Sequence, residues 1–246
     1  MRKITLFAFF TALCTVIGLC GCVIVNFTDR NVVRGRGDRE LYEIRTGQFS
    51  SISVEGNTEI HYYAAERDYI TLEIQPNLRD YYVVEVINGN LTIRPTRRLD
   101  FNSSRTPVLT VSSPVLEQLT ISGACTFTAH DIISADTFTL RISGAGEGRA
   151  QLDVERFFAN ISGTGSFDLS GRADTVDLRL SGTGDLDALS LQSREGAVRL
   201  SGTGRVGISS YEHLTIVASG TGSIEYRGSP NMNLSNSGIV SIRQVD

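Results

Sequence analysis

A Ser-Gly pair returns every 18 to 21 residues through the second half of the chain, at Ser122, Ser143, Ser162, Ser181, Ser201, Ser219 and Ser237. The form Ser-Gly-Thr-Gly stands at Ser162, Ser181, Ser201 and Ser219. Ser143 opens a Ser-Gly-Ala-Gly near copy, and the two outermost pairs are degenerate. The flanks repeat as well. One residue before each serine stand Ile121, Ile142, Ile161, Leu180, Leu200, Ala218 and Asn236. Three before stand Leu119, Leu140, Ala159, Leu178, Val198, Ile216 and Leu234, with mostly polar residues between the two sets. Five past each serine stand Phe127, Gly148, Phe167, Leu186, Val206, Ile224 and Ile242. Alternation of this kind is the period of a strand with one buried face.

One such unit cannot bury its inner face alone, but stacked copies can, because equivalent residues pile into columns. The repeat therefore predicts an all-β, single-domain β-solenoid of roughly 19-residue coils, right-handed, with parallel pairing between coils. Each coil is expected to run strand, glycine turn, strand, polar turn. The turn glycines are Gly144, Gly146, Gly163, Gly165, Gly182, Gly184, Gly202, Gly204, Gly220 and Gly222. They are expected to permit backbone angles closed to other residues and a close approach of successive coils. The polar turns, such as Asp153–Arg156, Gly171–Asp174, Gln192–Glu195 and Tyr211–His213, collect the variable chemistry and are the expected contact edge.

The first half follows a looser version of the pattern. Ile52 and Val54 before Glu55-Gly56, and Ile60 and Tyr62 after it, match the offsets around the later Ser-Gly pairs. An early coil is expected there. Tyr69–Gln75 reads as a strand, and Val83–Ile87, Asn88-Gly89 and Leu91–Ile93 read as a hairpin. The polar segment Arg94–Arg105 is expected to bulge out, Val108–Val111 resumes a strand, and no substantial helix is expected.

The start of the chain sets the compartment. Arg2 and Lys3 precede the apolar run Ile4–Leu19, the pattern of a secretory signal, too short to span a bilayer comfortably. The run ends in Leu19-Cys20-Gly21-Cys22, which resembles a bacterial lipobox. That resemblance implies a signal peptide over 1–21 and an acylated amino terminus at Cys22. Residues 22–47 lack the repeat and read as a tether, and 48–246 as the head, with regular repeats over 115–246. Cys14 and Cys20 leave with the signal, so Cys125 stands alone and no internal disulfide holds the head. The net charge is −4, Lys3 is the only lysine, and acid and arginine are interspersed. No basic stripe suits a nucleic acid, so no nucleic-acid partner is expected.

The lipobox, the opening strands with Asn77-Leu78 and Asn88-Gly89, and the repeated Ser-Gly-Thr-Gly turns together resemble the auto-transporter adhesin head family, the GIN domain, over roughly residues 48–230. The resemblance implies a β-solenoid head and a surface location, and it supplies no catalytic residues.

Several motifs point to chemistry and are outweighed. Asp168 and Asp187 hold equivalent positions in successive coils, with Asp185 nearby, and could form the carboxylate pair of a glycosidase. Solvated charges on a strand face are the ordinary case, and no enzyme activity is expected. His61, His130 and His213 lie far apart in sequence on different coils, so no metal site is expected. The residues after Thr-Gly are Ser166, Asp185, Arg205 and Ser223, which do not fit the calcium-binding nonapeptide. Gly144-Ala145-Gly146-Glu147-Gly148 precedes a strand and has no lysine after it, so it is no phosphate loop. Cys125 reads as a buried filler, and Arg36-Gly37-Asp38 as a chance tripeptide in the tether. No cofactor is expected. The functional expectation is a non-catalytic lipoprotein of the cell envelope, at the outer membrane, that binds a glycan or surface protein. The alternative is an envelope assembly component that self-associates or docks a partner protein.

Overall fold

The computed structural model describes residues 32–100 and 105–246. The lipobox, Cys22 and the signal segment lie outside them. The amino-terminal part contains β1 (Val33–Arg34), β2 (Glu40–Ile44), β3 (Ser51–Val54), β4 (Asn57–Ala64) and β5 (Tyr69–Ile74). A 3-10 turn over Pro76–Tyr81 follows, then β6 (Tyr82–Ile87), β7 (Asn90–Pro95), β8 (Leu99–Asp100) and β9 (Val108–Ser113). The repeat region contains β10 (Gln118–Ile121), β11 (Ala124–Ala129), β12 (Ile133–Ile142), β13 (Ala145–Ile161) and β14 (Thr164–Leu180). It continues through β15 (Thr183–Leu200), β16 (Thr203–Ala218), β17 (Thr221–Arg227), β18 (Asn231–Asn236) and β19 (Ile239–Gln244).

The protein is an all-β solenoid of about seven turns with coils of about 19 residues. Every pairing from β10 to β19 is parallel and joins one coil to the next, in register except at bulges in the β14–β15 and β15–β16 pairs. Val54, Ile121, Ile142, Ile161, Leu180, Leu200 and Ala218 are successive register partners and form one inward column. Each is at most 1% exposed, so the column is dry along its whole length. The early coil falls where the offsets place it: Ile52 pairs with Leu119, and Ile60 with Phe127. Gly148 sits between Phe127 and Phe167 in the third column, and a Cβ there would lie 2.6 Å from the Phe167 ring. The small residue makes room for the large one.

The Ser-Gly step is where each coil turns onto the next. At Ser162 the amides of Ser162 and Gly163 both donate to the Ile142 carbonyl (2.8 and 3.2 Å), and Thr164 donates to Gly144 (2.9 Å). The serine hydroxyl donates to the same Ile142 carbonyl at 3.3 Å, and Ser122 and Ser181 do likewise one coil back. The first glycine of each pair is needed for space, since a Cβ on Gly182 would stand 1.9 Å from the Gly163 oxygen. At Gly184 the backbone itself turns to φ +150°, a region that other L-residues rarely enter.

Three sequence expectations need correction. The polar turns are not turns in the ladder: β13 to β16 run 16 to 18 residues without interruption between Ser-Gly steps. Asp153, for instance, pairs with Arg172. The chain bends there while its amides and carbonyls still point along the stack, and bulges between Ala188/Gln192 and Ser193/Glu195 take up the corner. Part of the segment read as a tether is instead paired into strands: β2 pairs antiparallel with β5, and β1 pairs with β8. That second pairing holds part of the Arg94–Arg105 segment, Leu99–Asp100, against the body rather than letting all of it bulge out. No substantial helix interrupts the strands; the short 3-10 turn opens on Pro76, which presets its first residue, and Leu78 within it is fully buried. The hairpin β6–β7 turns on Asn88 (φ 51°) and Gly89 (φ 75°). Among the described residues no helix is long and apolar enough to cross a membrane.

The two ends differ. The amino-terminal end is finished by antiparallel strands and the Leu78 turn. At the carboxyl-terminal end β18 pairs with β16, and β19 with β17, and among the described residues the outer edges of both strands have no partner strand. Leu234 in the second inward column is 51% exposed there, and Ile239 80%.

Candidate functional site

Outward residues on the strand before each Ser-Gly step form two adjacent columns. One runs Thr120, Arg141, Asn160, Arg179, Arg199; the other Gln118, Thr139, Phe158, Asp177. Between them lies a groove of about 360 Å³ over Phe158, Asn160, Arg141, Arg179 and Asp177. Strand alternation turns these side chains outward, since Phe157, Ala159 and Ile161 fill the core from the same strand.

Phe158 is 40% exposed, whereas the other described phenylalanines are buried. Asp177 orders the groove's far wall: Arg179 Nη2 donates to it at 2.7 Å, and Arg199 Nη1 approaches it at 3.3 Å from the next coil. The hydrogen bond to Asp177, and then its charge, raises the Arg179 pKa above the usual arginine value. In the same column, on the other side of Asn160, the Arg141 side chain makes no hydrogen bond or ion pair among the described residues. An aromatic platform, an amide and guanidinium forks in a shallow groove can stack on one face of a sugar ring and bond its hydroxyls edge-on.

The expected contact edge at the polar corners is occupied by its own charges instead. Arg172 pairs with Asp153 (2.9 Å), and Arg194 with Glu195 (2.7 Å) and Glu212 (3.2 Å). Sequence reading passed over the groove because its column registered only as polar. The available signal was Phe158, a phenylalanine at an outward step of a regular alternation.

Asp168 and Asp187 are register partners, as equivalent positions predict. Their neighbours are structural: Asp187 accepts the Leu189 amide at 3.0 Å, and Asp185 accepts the Arg205 amide at 3.2 Å. Arg36-Gly37-Asp38 is not carried on a free tether, for Gln75 donates to the Gly37 carbonyl (2.8 Å) and Arg105 pairs with Asp38 (3.0 Å). Cys125 is buried, and burial pushes its thiol up to about 12, so thiolate chemistry at neutral pH is closed to it. His213 stays apart, but His61 and His130 meet at 2.9 Å across two coils. Among the described residues no three His, Cys, Asp or Glu side chains converge on a common point.

The sequence profile of the family described as "Putative auto-transporter adhesin, head GIN domain" matches residues 48–230. The chain belongs to this family. Solved structures share the GIN-domain fold. A "putative adhesin" from Bacteroides fragilis NCTC 9343 superposes with a TM-score of 0.82 at 20% identity, covering 87% of this chain and 100% of that one. A "putative adhesin" from Parabacteroides merdae ATCC 43184 gives 0.69 at 18% identity, covering 88% and 100%. A "putative lipid binding protein" from Parabacteroides distasonis ATCC 8503 gives 0.69 at 21% identity, with 88% and 100% covered. No curated protein sequence matches this chain. The matched segment of the GIN domain contains the early coil, the groove and every Ser-Gly-Thr-Gly step, and ends before β18.

Proposed function

We propose that this GIN-domain protein is a non-catalytic, surface-exposed head that binds a glycan in the Phe158 groove, held at the outer membrane by lipid on Cys22. The exposed Phe158 ring between the unpaired Arg141 and the Asp177-held Arg179 carries the reading. The adhesin names of the family and of two structural neighbours support it, and the lipobox-like Leu19-Cys20-Gly21-Cys22 supports the anchor. A glycan array on the purified protein is expected to return saturable binding without cleavage of the glycan. Phe158→Ala and Arg141→Ala are each expected to weaken that binding by about tenfold or more, about 1.4 kcal/mol. Binding untouched by both substitutions together, or absent across the array, would refute the groove assignment.

One observation favours a second reading, envelope assembly through self-association. The edges of β18 and β19, which have no partner strand among the described residues, lie beside exposed Leu234 and Ile239 and are a template for another strand. On that reading sedimentation velocity shows association rising with concentration, and Ile239→Asp returns the protein to monomer. A monomer at all concentrations disposes of it.

A further inference from the structure

His61 and His130 stand 69 residues apart, yet the coil register brings them side by side. β4 presents Glu59, His61 and Tyr63 outward, while Thr58, Ile60 and Tyr62 face the core. β11 lies in parallel register beside it as far as Ala129 opposite Tyr62. The His130 amide then donates to the Tyr62 carbonyl at 2.9 Å, which sets His130 one step past the end of β11 and diagonal to His61. Both rings are held by groups of their own. The His130 ring lies flat against Tyr63, centroids 4.6 Å apart and planes 6° apart. The next residue, Asp131, accepts the Ala64 amide at 3.1 Å and pins the segment. His61 Nε2 is 3.1 Å from the Glu59 carboxylate, and His61 Nδ1 is 2.9 Å from His130 Nε2.

Two imidazole nitrogens facing each other at this distance share one proton or one cation. Glu59 decides the tautomer on one side: with Nε2–H donating to the carboxylate, the Nδ1 lone pair of His61 points toward His130. When the His130 proton sits on Nδ1, its Nε2 offers a second lone pair to the same place. We infer that His61 and His130 form a binding site for a divalent transition-metal cation that accepts square-planar nitrogen ligation, copper(II) foremost. A cation bonded to two nitrogens at about 2.0 Å and roughly a right angle holds them about 2.8 Å apart, close to the separation of this pair, and it lies off the line joining them. Tetrahedral ligation at the same bond length spreads the nitrogens to about 3.3 Å, which disfavours zinc at this pair. With no third His, Cys, Asp or Glu converging among the described residues, water fills the other positions. The site is therefore open and exchangeable, and follows the affinity order copper above nickel and zinc. Glu59 plays the part of the carboxylate that orients a ligating histidine.

The test is titration of the purified full chain with copper(II) chloride, read by calorimetry and by electron paramagnetic resonance, with circular dichroism confirming that each variant folds. The expected result is one equivalent of copper whose hyperfine pattern shows two imidazole nitrogens. That equivalent is lost in the doubly substituted His61→Gln/His130→Gln chain and kept in His213→Gln. Glu59→Gln is expected to weaken it about tenfold, the usual effect of removing such a partner. A binding curve and spectrum shared by the parent and the folded double variant, or a two-nitrogen signal that disappears with His213, would overturn the inference.

Discussion

Replacing Gly182 with valine is expected to abolish the cooperative fold, or to lower its stability by more than about 4 kcal/mol, where overpacking an ordinary core site costs about 1–3. The reason is what the new side chain meets. A Cβ at this position stands 1.9 Å from the Gly163 carbonyl oxygen and 2.6 Å from that of Ser162. Both are backbone atoms, and no rotamer change moves them aside. The Gly163 carbonyl also accepts the Thr183 amide at 2.9 Å, so separating the coils breaks the ladder and strands its polar groups. The whole stability of a domain is about 5–15 kcal/mol, which makes a loss of this size decisive. Gly89→Ala is the control. Nothing lies within 4 Å of its Cβ, and only the φ of +75° is unfavourable, so about 1–2 kcal/mol is expected. Urea denaturation followed by circular dichroism measures both. Equal, small losses would show that the coils do not meet at the Ser-Gly step.

The second large effect separates the middle of the stack from its end. Leu178 and Leu234 are the same residue in the same inward column, three coils apart with Val198 and Ile216 between them. Leu178 is fully buried and Leu234 is 51% exposed. Leu178→Ala is expected to cost about 2–5 kcal/mol, because it removes buried methyl groups and leaves a cavity between Ala159 and Val198. Leu234→Ala is expected to cost less than about 1 kcal/mol, since water already reaches that face. Comparable losses at the two sites in denaturant titrations would mean that something covers the last coil in solution.

The architecture was open to sequence reading because a solenoid writes its packing into a period. Once Ser162, Ser181 and Ser201 are aligned, Ile161, Leu180 and Leu200 align with them, and the register follows without any knowledge of turns. The offset match at Ile52 and Ile60 carried this into the irregular half. The bent corners were misread because Asp153 and Arg172 look like loop residues, while their backbone pairing depends only on direction along the stack. β2 and the Leu78 turn were missed for a different reason. They belong to the end cap, occur once, and have no second copy to compare. The groove suffered from its chemistry: Arg141, Asn160 and Arg179 are ordinary strand-face residues, and only their neighbour Phe158 makes them a site. The His61–His130 pair was hidden by sequence distance, which in a stack of this kind says little about distance in space.

The unbroken strands from one Ser-Gly step to the next have a consequence for how such a molecule can change size. Each winding pairs its backbone with the windings directly above and below, and contacts that skip a winding, such as Arg227 to the Leu189 carbonyl, are few, so one complete unit can be gained or lost with little disturbance to the rest, as a page can leave a loose-leaf binder. A gain or loss of a single residue within a winding has the opposite effect. It exchanges the wet and dry sides of the wall from that residue to the next step, unless a bulge such as the one after Asp168 absorbs the slip.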